Sequence, residues 1–178
     1  MKTVCSVFCG VSMDGFIARP DGALDFLEGD GTAPLGDHGY DAFMAGIDAI
    51  VMGRKTFETV MSFAIWPYAK KVIVLSSGQL DLTAARARGA DVVVMNAPPE
   101  QLVAELATKG HYRLYVDGGD TIQRFLRAGL IDRLIISQLP VLIGQGVPLF
   151  GTVEKDIRLK LVASRNFPGG LVRSEYAF

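Results

Sequence analysis

The stretch Ala49-Ile50-Val51-Met52-Gly53-Arg54-Lys55-Thr56 decides how this chain is read. Four apolar residues run straight into a glycine, two cations and a hydroxyl. A short continuous apolar run suits a buried strand covered on both faces. The residues after it suit the start of a helix. Glycine there lets the backbone come close to a ligand. The helix N-terminus offers free N–H groups and partial positive charge, and Arg54 and Lys55 add formal charge suited to phosphate. A solvated turn with surface cations is the plainer alternative.

Three more strand ends deserve the same reading. In Leu114-Tyr115-Val116-Asp117-Gly118-Gly119-Asp120-Thr121 two glycines join a strand directly to a helix and leave N–H groups for a pyrophosphate. It is not the six-residue dinucleotide fingerprint, and the Walker lysine is absent. Val74-Leu75-Ser76-Ser77 ends a buried run in two hydroxyls, which can bond a phosphate or cap the next element. Ser12-Met13-Asp14-Gly15-Phe16-Ile17-Ala18 follows the first apolar run. Asp14-Gly15 has the chemistry of a turn, but a carboxylate there would face the same crevice.

Around these ends the chain alternates. Strand runs are Thr3–Val11, Ala49–Met52, Lys71–Leu75, Asp91–Met95, Arg113–Val116, Arg133–Gln138, Lys160–Ser164 and Leu171–Phe178. Val72–Leu75 and Val92–Val94, apolar on both faces, read as central strands. Helical spacing appears in Tyr40–Ile47 after Asp37, a candidate N-cap, and in Thr56–Met61, Pro99–Thr108 and Thr121–Ala128. Strands alternating with helices imply parallel crossovers. Beyond Leu130 only strands and turns are legible, with Phe167-Pro168-Gly169-Gly170 as the turn of a closing hairpin. The expectation is one α/β domain over residues 1–178, with a mixed, mostly parallel sheet and an antiparallel C-terminal hairpin. Phe26–Gly39, rich in Gly and Asp, reads as a long loop.

Composition narrows the function. The chain has 178 residues, 49% hydrophobic and 21% charged, which is ample for one core without disulfides or metal. Net charge is −1 and no basic tract occurs, which argues against nucleic-acid binding. Cys5 and Cys9 would share one face of a strand as free thiols, with too few neighbouring ligands for zinc. Gly10, Ser12 and Asp14 interrupt the first apolar run early, which suits a strand rather than a signal peptide. No apolar stretch reaches the roughly 18 residues that would span a membrane. A cytoplasmic location follows as the default.

Taken in order, Ser12–Ala18, Val51–Phe57, Val74–Ser77, Tyr115–Gly119 and Pro140–Phe150 resemble the dihydrofolate reductase-like superfamily. The resemblance is greatest to the C-terminal reductase domain of the bifunctional riboflavin-biosynthesis deaminase/reductase (RibD). It implies a three-layer α/β/α fold and NADPH as cofactor. Arg54, Ser76 and Ser77 would then meet the adenosine 2′-phosphate. Lys55, Thr56, Gly118, Gly119, Asp120 and Thr121, with Gly53 at the strand end, would line the pyrophosphate. Asp14 would sit near the nicotinamide and substrate as the catalytic carboxylate, and Gly144–Phe150 would be a structural loop.

The implied activity is hydride transfer to a C=N or C=O carbon of a pyrimidine- or pterin-like small molecule, as in 5-amino-6-(5-phosphoribosylamino)uracil reductase of riboflavin biosynthesis. Two departures stand beside it. The Trp-x-x-Pro-x-Asp pattern of dihydrofolate reductases is replaced by Gly22-Ala23-Leu24-Asp25-Phe26-Leu27. The His-x-Glu and Pro-Cys-x-x-Cys sequences of the zinc deaminase are absent, so the reading is a stand-alone reductase. A dihydrofolate or pteridine reductase and a non-catalytic NADPH-binding domain are the alternatives. Arg19 could meet a substrate phosphate or be a surface residue, and His38 and His111 read as surface residues. A homodimer built on the apolar C-terminal strands is a further expectation of the resemblance.

Overall fold

The computed structural model describes residues 1–29 and 36–178. Residues 30–35, inside the expected loop Phe26–Gly39, lie outside the described residues. An eight-stranded sheet forms the centre, in the order β5-β4-β3-β6-β1-β7-β10-β9. Its parallel part comprises β1 (Val4–Ser12), β3 (Ala49–Gly53), β4 (Lys71–Leu75), β5 (Val92–Met95), β6 (Arg113–Asp117) and β7 (Arg133–Leu139). Strand β10 (Val172–Ala177) runs antiparallel to both β7 and β9 (Lys160–Asn166). The turn between them closes with Phe167 N–H donating to the Leu171 carbonyl at 2.8 Å. The mixed sheet with its antiparallel closing hairpin is as expected from the strand runs.

Helices α1 (Tyr40–Ala45), α2 (Arg54–Met61) and α3 (Thr83–Ala87) cover one face, where Phe43, Phe57, Val60 and Ala85 pack on Ile50, Met52, Val72, Val74 and Tyr115. Helices α4 (Pro99–Thr108) and α5 (Gly119–Arg127) cover the other. There Leu102, Leu106, Ile122 and Phe125 pack on Val7, Val51, Ile73, Leu114 and Val116. Each fully buried Leu, Ile or Phe contributes about 1.5–3 kcal/mol, so these two layers carry the fold. Proline at the start of α4 suits its first turn, whose N–H would be unpaired anyway.

One expectation needs correction, and two features had no clear signal in the sequence. Val92–Val94 is not central: β5 is the edge strand, and beyond Val92 its residues are only half-buried. A triple valine reports β-propensity and apolar surface, and neither specifies how many strands lie beside it. Thr83–Ala87 forms a helix that no strong apolar periodicity announced; the parallel crossover from β4 to β5 calls for it. The loops Phe16–Ala18 (β2) and Val147–Pro148 (β8) pair as a small second sheet, which ties the segment after β1 to the segment after β7. Asp37 does serve α1, accepting bonds from the N–H groups of Gly39 at 3.0 Å and Asp41 at 3.1 Å.

Candidate active site

Topology creates the crevice. After β3 the chain moves outward through β4 to β5, with α2 and α3 on one face. It returns to β6 beside β3 and leaves it through α5 on the opposite face. Between the carboxyl ends of β3 and β6, therefore, helices depart to opposite sides. Such a switch point is where open α/β sheets bind ligands.

The sequence-selected residues meet there. A Cβ on Gly118 would collide with the Thr56 hydroxyl, and a Cβ on Gly53 would come within 3.0 Å of the Thr121 hydroxyl. The two loops thus face each other closely enough that glycine is required at Gly118, whose φ of 87° also disfavours any side chain. Neither α2 nor α5 receives a side-chain cap, so their first N–H groups remain available to a ligand. Gly119 lies against the Pro148 carbonyl, with Ile17 and Val147 beside it, so β2 and β8 form a wall by the Gly118-Gly119 turn. Thr121 is buried, while Asp120 and Lys55 stand exposed in their first turns.

Arg54 holds Glu58 at 2.8 Å, with both side chains about half exposed. Its guanidinium also reaches the turn after β4, near Gly78. Ser76 closes that turn with Gly78, accepting from its N–H at 3.3 Å and donating to its carbonyl at 3.1 Å. Ser77, Gly78, Gln79, Leu80 and Val94 line a shallow depression alongside. Arg54, Ser76 and Ser77 therefore belong to one neighbourhood next to the Gly53–Thr56 loop.

Asp14 sits elsewhere on the rim. Its carboxylate accepts from Ser12 Oγ at 2.6 Å, from Gly144 N–H at 2.7 Å and from Ile143 N–H at 3.3 Å. These bonds, the Ser12 hydroxyl first, hold it below the ordinary Asp range. Arg19 is engaged with Asp25 through two bonds, 2.6 and 2.8 Å. His38 and His111 are half-buried rather than on the surface, and the His38 ring packs edge-on against Phe167.

The carboxylate that the sequence reading passed over is Asp117. It ends β6 immediately before the two glycines and accepts from Gly118 N–H at 2.8 Å. Burial pushes its carboxyl up to about 6, against the opposing pull of Gly118 N–H and the Tyr115 hydroxyl. Burial, then the Asp117 charge, likewise raises Tyr40 to about 12 and lifts Tyr68 and Tyr115 above the usual phenol range. One acid beside the buried Tyr115 and the half-buried Tyr40 and Tyr68 at a strand end has the character of a functional group. The available signal was a lone carboxylate between Val116 and Gly118. Cys9 lies in the same region but on the opposite core layer, its thiol pushed up by burial first and then by Asp117.

Comparison with known proteins decides the family. The model of the RibD C-terminal domain matches residues 4–173. This chain belongs to the RibD C-terminal domain family. Members of that family are reductases. This RibD C-terminal domain is 31% identical to the uncharacterized protein YwjB of Bacillus subtilis (strain 168), over 98% of its own length and 97% of the relative's. It superposes on a putative riboflavin biosynthesis protein of Shewanella sp. PV-4 with a TM-score of 0.88, at 36% identity and 98% coverage of each chain. It shares its fold with the dihydrofolate reductase of Enterococcus faecalis complexed with NADP(H): TM-score 0.67, 18% identity, covering 98% of this chain and 95% of that one. No helix among the described residues is long and apolar enough to cross a membrane.

Proposed function

We propose that this RibD C-terminal domain is an NADPH-dependent reductase of a pyrimidine- or pterin-like small molecule, resembling 5-amino-6-(5-phosphoribosylamino)uracil reductase. The observation that carries the reading is the approach of Gly118 to Thr56 and of Gly53 to Thr121 across the switch point, with two uncapped helix starts beside them. That cradle fits a pyrophosphate: backbone N–H groups supply donors, and the missing Cβ atoms supply room. Lys55, Thr56, Gly118, Gly119, Asp120 and Thr121 would line it. Arg54, Ser76 and Ser77 would hold the 2′-phosphate. Arg54 must share its ion pair with Glu58 to do so. An exposed pair contributes only about 0–1 kcal/mol, whereas a hydrogen bond to a charged group contributes about 1.5–3 kcal/mol, so the phosphate wins.

When bound, the reduced nicotinamide supplies a hydride to the electrophilic carbon of a C=N or C=O bond. The nitrogen or oxygen of that bond then needs a proton. Asp117, with a carboxyl near 6, can donate it close to neutral pH. Tyr40, Tyr68 and Tyr115 keep its surroundings apolar and stay protonated. Asp14, read from the sequence as the catalytic carboxylate, is better suited to orienting the substrate-side loops, because three donors occupy its oxygens and keep it ionised.

A second copy of the chain is proposed to cover the C-terminal strands. β9 is an edge strand with Leu161 and Val162 each 55% exposed, and an uncovered apolar edge is a hazard that proteins avoid.

The cofactor assignment is tested by titrating NADPH and NADH against nicotinamide fluorescence. NADPH should bind more tightly, and Arg54→Ala should weaken it about tenfold or more with little effect on NADH. Equal affinities for the two cofactors, unmoved by Arg54→Ala, would sink the assignment.

A further inference from the structure

A second concave site lies on the same sheet face as Asp117, toward the other edge. It has a volume of about 310 Å³, and its lining includes Phe8, Phe43, Phe167, Arg133, Arg165 and Arg173. The register explains its position. Phe8 pairs with Ile135, and Ile135 with Glu175, so one row of residues crosses from β1 through β7 to β10. Asp117 lies two residues beyond the Ser6–Tyr115 pair, which puts it on the β6 side of the same row. Three strand spacings separate Asp117 from Glu175, about 14 Å.

The charges in this pocket are not balanced internally. Arg133 is taken up by Glu175 at 2.5 Å. Arg165 and Arg173 stand directly opposite each other on β9 and β10, and like charges in that relation repel. Among the described residues neither has an ion-pair partner within 4.0 Å. Among the described residues the nearby acids are Glu175, already bonded to Arg133, and Asp37, whose carboxylate is turned to the N–H groups of Gly39 and Asp41; both feel the charge of Arg173 without pairing with it. Arg173 is held in place by the His38 carbonyl and by the face of Phe167, 5.5 Å from its centroid.

An independent observation falls at the same position. Ser137 is paired across strands with Arg173, is only 5% exposed, and its hydroxyl has no partner among the described residues. Buried hydroxyls are nearly always bonded. Two arginines on neighbouring strands of the pocket wall, with the Ser137 hydroxyl beneath them on the same sheet face, suit recognition of a carboxylate or phosphate, and the phenylalanines suit a ring attached to it.

We propose that Arg165 and Arg173 bind the anionic group of a ring-bearing ligand in this pocket. That the ligand is the substrate of the reductase rests on the function proposed above; the anion site itself does not. Calorimetric titrations with benzoate, phenyl phosphate and neutral benzyl alcohol test it, with NADPH affinity measured on the same samples. One or both anions should bind and the alcohol should not. Preference between the two anions distinguishes a carboxylate from a phosphate ligand. Arg165→Gln, an exposed position where folding is not at stake, should weaken the anion about tenfold or more, while NADPH affinity stays the same. Binding of the alcohol as tight as of the anions, no anion binding, or affinity indifferent to Arg165→Gln would overturn the site. Loss of NADPH binding in the unaltered protein, with the anion still bound, would instead remove the reductase reading.

Discussion

The parallel centre and the antiparallel C-terminal edge build binding surfaces in opposite ways. At the centre, β3 and β6 are buried on both faces, and what they present at their ends is backbone: two glycines and two bare helix starts. At the edge, β9 is exposed along its whole length, and what it and β10 present is side chains, the facing Arg165 and Arg173. Backbone donors serve any phosphorylated nucleotide of the right shape. Side chains on an edge can change without disturbing the core. The difference teaches that the proposed cofactor site at the centre is constrained by geometry, while the pocket proposed at the edge is free to specialise.

The most drastic way to break this contrast is at the edge strand. Val162→Lys should convert a dimer to a monomer in sedimentation, with cofactor affinity unchanged. A monomeric unaltered protein would instead show that the edge stands alone.

Asp117 sharpens the contrast from the centre. Its folded carboxyl titrates near 6, above the unfolded value of 3.8, so folding favours the protonated form. The Asp117 contribution to stability is fully present below about pH 4, is lost as pH rises through 6, and levels off beyond, a loss from this group of up to about 3 kcal/mol. Asp117→Asn should remove this slope, leaving the variant more stable than the parent at pH 8, and should cut turnover. Urea unfolding at pH 5 and pH 8 measures the first effect; parallel slopes in parent and variant would show that Asp117 titrates normally.

Asp14 joins the two regions, because its carboxylate binds the loop after β7. Asp14→Asn keeps the size but turns one carboxylate oxygen into an NH2 donor, so either the Gly144 bond or the Ser12 and Ile143 bonds are lost. Turnover should fall severalfold while NADPH affinity stays within about twofold. A collapse of cofactor affinity with turnover per bound cofactor intact would make its role purely structural.

Much of the fold was legible because local chemistry and tertiary position agreed. Val72–Leu75 is buried throughout, as its double-sided apolar run implies. Pro99 opens α4. Val92–Val94 misled because valines at an edge and at a centre look alike in sequence. The proposed cofactor loops were legible for a local reason: glycine, cations and hydroxyls directly after a buried strand lie within a few residues of one another in the sequence. Asp117 was missed because its shift comes from burial by the folded chain, and the Tyr40 and Tyr68 phenols that feel its charge are distant in sequence. The arginine pocket was invisible for the same reason, since Arg133, Arg165 and Arg173 come from three strands.

From the sequence alone came the alternating elements, the closing hairpin and the strand-end loops, all governed by patterns within about ten residues. Tertiary structure decided which strand lies at the edge, which loops face one another and which carboxylate is partly withdrawn from water beside Tyr115. Those depend on strand order and register, where one residue of slip would turn every side chain to the other face.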